Sequence, residues 1–136
     1  MTRKSVVKKL MDKLIPPLFN GVPIVKEWTC QGLTCRVIHT RMSYCGYVGV
    51  PNKHSKAVEN VSEENYDVDV HGGITFKEEI DNVIWFGFDC AHAGDEIILG
   101  GKVIKGHHWT LDEVVEETNF MARQLKGIVR KYERIS

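Results

Sequence analysis

Hydrophobic residues recur at helical spacing near both ends of the chain and alternate in short runs between them. Near the start, Val6, Val7, Leu10, Met11 and Leu14 fall on one side with lysines on the other, which predicts a short amphipathic helix. Pro16-Pro17 ends it, because proline cannot continue the hydrogen-bond ladder. From Val22 to Val50 the texture becomes that of strands, with β-formers in short runs and Gln31-Gly32 as the turn between two of them. Period-two alternation puts Arg36, Ile38 and Thr40 on one strand face and Cys35, Val37 and His39 on the other. Gly46, Gly49 and Pro51 punctuate the third strand and its exit.

Asn52 to Asp69 is polar and reads as a long loop holding at most one helical turn. Asp67, Val68, Asp69 and Val70 alternate and predict a strand leading into His71, with Ile74, Thr75 and Phe76 continuing past two glycines. Val83 to Phe88 is the most hydrophobic stretch and predicts a central strand buried on both faces, ending at Asp89. Gly100-Gly101 and Gly106 bracket a short hairpin or excursion. The last element is a long helix. Thr110 and Glu113 form a capping box, Asp112 suits the first turn, and Arg130, Lys131 and Arg134 suit the end of the dipole. Its apolar stripe (Leu111, Val114, Val115, Thr118, Met121, Ala122, Leu125, Ile128, Val129) is expected to pack on the sheet.

These elements make one α+β domain over residues 1–136: a short N-terminal helix, a mostly antiparallel sheet, and a long C-terminal helix packed on it. The chain's 136 residues suffice for a core without disulfides or structural metal. Lys plus Arg equals Asp plus Glu, so a dedicated binder of long nucleic acid, which shows a basic face, is not expected. No apolar run is long enough to span a bilayer and no signal-peptide core is present, so no membrane partner and a cytoplasmic location are expected. The four cysteines, Cys30, Cys35, Cys45 and Cys90, are then expected as reduced thiols. Cys30 and Cys35 have no matching pair at zinc-finger spacing and read as packing residues.

The candidate chemistry gathers on two segments expected to share a pocket. In His71-Gly72-Gly73, the glycine pair suits either a turn or a close ligand approach to bare amides. In Asp89-Cys90-Ala91-His92-Ala93-Gly94-Asp95, polar groups appear where a buried strand ends, and small residues leave room around them. Asp89 could fix the tautomer of His92. His71, His92 and Asp89 or Asp95 are also a donor set for a divalent metal. Cys90 beside His92 permits a nucleophile–base reading, with packing the preferred role. Tyr44, Tyr47, Trp85 and Trp109 are candidates to stack on a flat ligand. Arg36, Arg41, Lys53 and His54 are candidates to meet phosphates, and His107-His108 to add a metal ligand.

Three motifs together, Cys45-Gly46-Tyr47-Val48-Gly49-Val50-Pro51, His71-Gly72-Gly73-Ile74-Thr75-Phe76 and Trp85-Phe86-Gly87-Phe88-Asp89-Cys90-Ala91-His92-Ala93-Gly94-Asp95, resemble a family of small phage and bacterial proteins without a settled function. The resemblance runs from Cys45 to the final helix and implies a phage or mobile-element setting, where small pocketed proteins intercept host nucleotide signals. Two functions are therefore expected. The first is a small-molecule binder sequestering a phosphorylated nucleotide signal in phage counter-defence, assembled as a homo-oligomer. It would use His71, Gly72, Gly73, Asp89 and His92, with Tyr47 and Trp85 stacking. The alternative is a metal-assisted or histidine-based hydrolase of small phosphoesters, with His71, Asp89, His92 and Asp95 as its catalytic groups. Asp89 and Asp95 would repel a phosphate, which is the difficulty of the first.

Overall fold

Paired residues in left-handed backbone conformation set the sheet's register. Gln31 and Gly32 (φ 55° and 79°) fold β1 (Ile24–Cys30) back onto β2 (Leu33–His39). Such a two-residue turn matches the twist of the flanking strands. β2 then pairs with β3 (Tyr44–Pro51), and beside the first pair the Thr40 hydroxyl accepts a hydrogen bond from the Ser43 amide. Asp81-Asn82 (φ 50° and 66°) is a second such turn, joining β4 (Phe76–Ile80) to β5 (Val83–Asp89). The resulting five-stranded sheet has the order β1-β2-β3-β5-β4 with every neighbour antiparallel. A separate hairpin, β6 (Ile97–Leu99) and β7 (Lys102–Ile104), turns at Gly100-Gly101, glycines that the sequence placed at the flank of the excursion. The structure, a computed structural model, describes residues 22–40, 43–62, 67–91 and 95–135, so the helix expected over residues 6–14 lies outside it.

The final helix follows its sequence signals closely. Between β3 and β4 lies a 3-10 turn (Asn52–His54) and a one-turn helix, α1 (Ser55–Val58); the long helix is α2 (Leu111–Ile135). At its start the Glu113 amide donates to the Thr110 hydroxyl at 3.2 Å and the Thr110 amide donates to the Glu113 carboxylate at 3.1 Å, which is the expected capping box. Val114, Thr118, Met121, Ala122, Leu125 and Val129 are buried against the sheet. Approach is closest at β3, where a methyl group on Gly46 would overlap the Thr118 hydroxyl and the Phe88 ring. Glycine at this position lets helix and sheet interlock.

Strand alternation divides the sheet into two buried faces. Cys35, Val37, Val48, Phe86, Phe88 and Cys90 face α2. Ile38, Cys45, Tyr47 and Trp85 face the other way, with Phe76, Ile80 and Val83 around them. Two buried faces explain why β5 is an unbroken apolar run rather than an alternating one. The Arg36 guanidinium lies 4.7 Å from the Trp85 ring and binds the Glu27 carboxylate at 2.8 Å, so it packs on the second face.

Residues 67–70 correct one expectation. They alternate, and Val68 and Val70 are buried, but they form no strand. Their partner is a helix. The Gln124 side-chain amide accepts from the Asp69 amide at 2.7 Å and donates to its carbonyl at 2.6 Å. Seven residues earlier on α2, Glu117 accepts from the His71 amide at 2.9 Å. Two helix side chains thus do for this backbone what a neighbouring strand does elsewhere. No helix among the described residues is long and apolar enough to cross a membrane.

Candidate functional site

The His71-Gly72-Gly73 segment is a turn. The Gly73 amide donates to the Val70 carbonyl at 2.8 Å, and Gly72 and Gly73 have φ of 69° and 78°. The glycines are needed for left-handed backbone, and the Gly73 amide is already used. The expectation of bare amides awaiting an anion is therefore corrected at Gly73. What the turn does is aim His71 back toward α2.

There His71 meets Asp95. Its Nε2 lies 2.8 Å from Asp95 Oδ2, while Trp109 Nε1 donates to Asp95 Oδ1 at 2.9 Å. Asp95 is only 4% exposed, so its carboxylate is a buried acceptor used on both oxygens. The His71 and Trp109 rings stack at 4.5 Å with a 42° tilt, which closes a three-residue unit. The two expected segments do meet in space, through His71 and Asp95.

The unit is held at a corner built by the β6–β7 hairpin. Its stem is zipped by a parallel bridge between Asp95 and His107 and by the Glu96 amide donating to the His107 carbonyl at 2.8 Å. His108 Nδ1 lies 2.5 Å from Glu96 Oε2, and His107 Nε2 lies 2.8 Å from Glu113 Oε2. His107-His108 thus pair with carboxylates in the solvent-exposed part of the stem.

Beside this corner opens a cleft. Trp109, Glu96 and His108 line it together with His39, Ser43 and Tyr44, and Cys90 completes the lining. His39 stands edge-on to Tyr44, with ring centroids 4.6 Å apart. The cleft has a volume of about 80 Å³. Small-molecule pockets run roughly 300–1,000 Å³, so this cleft is sized for one polar group rather than a whole nucleotide. Burial foremost, with Asp95, Cys45, Asp89 and Glu117 adding repulsion, pushes the Cys90 thiol up to about 12. A thiol so raised and so buried suits the packing role preferred for it.

The remaining expected residues fall elsewhere. Asp89 lies on the opposite sheet face from Cys90, near Cys45 and Tyr47, and its Oδ1 accepts from the Ala91 amide at 3.0 Å. Tyr47 and Trp85 lie on that face too, so the sheet separates all three from His71 and the cleft. A single pocket containing Asp89, Tyr47, Trp85 and His71 is therefore corrected. His92 and Arg41 lie outside the described residues, and with His92 goes the test of the metal set. Among the described residues no three His, Cys, Asp or Glu side chains converge as a metal site would. His39, Ser43, Glu96 and Glu117 were missed. For His39 a signal existed, since alternation already set it beside Cys35 and Val37; for the carboxylates none did. No protein-family model, curated protein or solved structure matches the chain.

Proposed function

We propose that this protein binds a small polar ligand at the corner between the sheet and the start of α2. The observation behind this reading is the buried Asp95, which locks His71 and Trp109 into one rigid unit and so preorganises a wall of the cleft. Imidazoles from His39 and His108 and hydroxyls from Ser43 and Tyr44 offer hydrogen bonds, and Glu96 offers an acceptor. With Glu96 in the lining and Asp95 and Glu117 close to Cys90, the local field favours an uncharged or cationic group over a phosphate. In the nucleotide-sequestering form of this reading, a base edge enters and the phosphates point outward.

The His71–Asp95 pair favours a second reading, histidine-based hydrolysis. An ionised carboxylate only accepts, so Asp95 places the proton on His71 Nε2 and makes Nδ1 the basic nitrogen. One experiment separates the two. The protein is incubated with cyclic and linear nucleotides, nucleosides and small amines, then denatured, and what is released is analysed. Intact ligand, retained less well by His108→Ala and Tyr44→Phe, is the expected result. Altered ligand, with turnover lost in His71→Ala, supports the hydrolase. Neither retention nor turnover of any compound overturns both.

A further inference from the structure

The far end of α2 has a different character. Its first half carries Asp112, Glu113, Glu116 and Glu117, and its second half Arg123, Lys126, Arg130, Lys131 and Arg134 with only Glu133 against them. The neutral chain is thus polarised along a helix, with about 30 Å between the corner described above and the last turns. At the basic end a groove of about 330 Å³ opens between α1 and α2, lined by Lys53, His54, Lys56, Ala57, Tyr132 and Glu133. That volume falls in the range of small-ligand sites.

The lining is chemically specific. Lys53 makes no ion pair among the described residues, and Lys56 reaches Glu59 only at 3.9 Å between exposed groups. Both ammonium groups are thus available to one anion. Glu133, the one acid in the lining, is turned toward His54, with Oε1 3.5 Å from Nδ1. Tyr132 is 39% exposed, an aromatic face left open at the groove wall. The short Ala57 side chain leaves the space between them. The lysines also sit on a fixed platform: Val58 is buried in the core, and Lys77 Nζ from β4 donates to the Val58 and Glu59 carbonyls at 3.0 and 3.2 Å.

We propose that this groove binds a phosphomonoester that carries a planar ring, of the size of a nucleoside monophosphate. The phosphate lies between Lys53 and Lys56, the ring packs on Tyr132, and Glu133 takes a hydroxyl or amino donor. Lys53 and His54, both singled out in the sequence for phosphate contact, line this groove, which shares no lining residue with the corner.

The test is calorimetric titration of the full chain with the four common nucleoside monophosphates, inorganic phosphate and the free nucleosides. A monophosphate is expected to bind more tightly than phosphate or nucleoside alone. The double variant Lys53→Gln/Lys56→Gln, both sites being exposed, is expected to keep the fold by circular dichroism and weaken binding about tenfold or more. Tyr132→Ala is expected to weaken monophosphate binding while leaving phosphate binding unchanged. Lys102→Gln, an exposed residue in the lining of neither site, is expected to leave both unchanged. No saturable binding of any monophosphate overturns the proposal, as does binding that the lysine and tyrosine variants do not alter. Loss of monophosphate binding in His108→Ala instead would move the ligand to the corner and overturn it equally.

Discussion

Asp95 is the residue on which the corner depends. Its two oxygens accept from a histidine and an indole within a nearly water-free environment. Asp95→Ala strands the Trp109 N–H and the His71 ring nitrogen, and is expected to cost about 2–4 kcal/mol in urea denaturation. Asp95→Asn keeps one acceptor and is expected to cost less, so the difference between the two variants reports the worth of the acceptor itself. Asp95 and its partner His71 were both legible in the sequence as chemistry-bearing residues beside glycines. Their pairing was not, because 24 positions separate them and neither turn shows which way its side chain points.

Among elements, α2 is the one whose sequence and structure agree at most levels. The capping box formed as written, so Thr110→Ala is expected to cost about 1 kcal/mol of stability, measured by thermal or chemical unfolding. The docking of α2 is another matter. Gly46→Ala is expected to destabilise by about 1–3 kcal/mol, because the added methyl meets Thr118 and Phe88 where helix and sheet interlock. Nothing in β3 alone marks Gly46 as the contact point, since Gly49 sits three residues away in a similar setting. Residues 67–70 fail as a strand for a related reason. Alternation reports that every second side chain is buried, and it is silent on whether a strand or a helix supplies the partner hydrogen bonds.

For the molecule as a whole, the sheet's two buried faces set its pH response. Burial raises Cys35 and Cys90 to about 12 and Cys45 to about 11, from an ordinary value of 9.0. Tyr47 is raised as well, again chiefly by burial. An unfolded thiol ionises near 9 and a folded one here does not. The folded state therefore holds more protons above that pH, and the stability these groups contribute is full below it and lost as pH rises toward 11–12. Urea midpoints are expected to fall steadily from about pH 9 upward in reducing buffer. A flat profile to pH 10.5, measured about a unit and a half above the thiol's ordinary range, would refute this.

The sequence by itself determined the local rules: the strands between Val22 and Val50 and from Val83 to Phe88, the turn at Gln31-Gly32, how α2 is capped and which side of it is apolar. Each of these follows from neighbours within a few positions, where periodicity and backbone sterics act. The tertiary structure alone decided which polar groups meet. It put Asp89, Tyr47 and Trp85 behind the sheet from His71, joined His71 to Asp95 and Trp109, and brought Lys53 and His54 to Tyr132. Those outcomes turn on strand order, on a one-residue parity that sends adjacent side chains to opposite faces, and on the length of one helix. Parity and helix length can be read locally, but strand order, which decides what faces what, is not written in any local pattern.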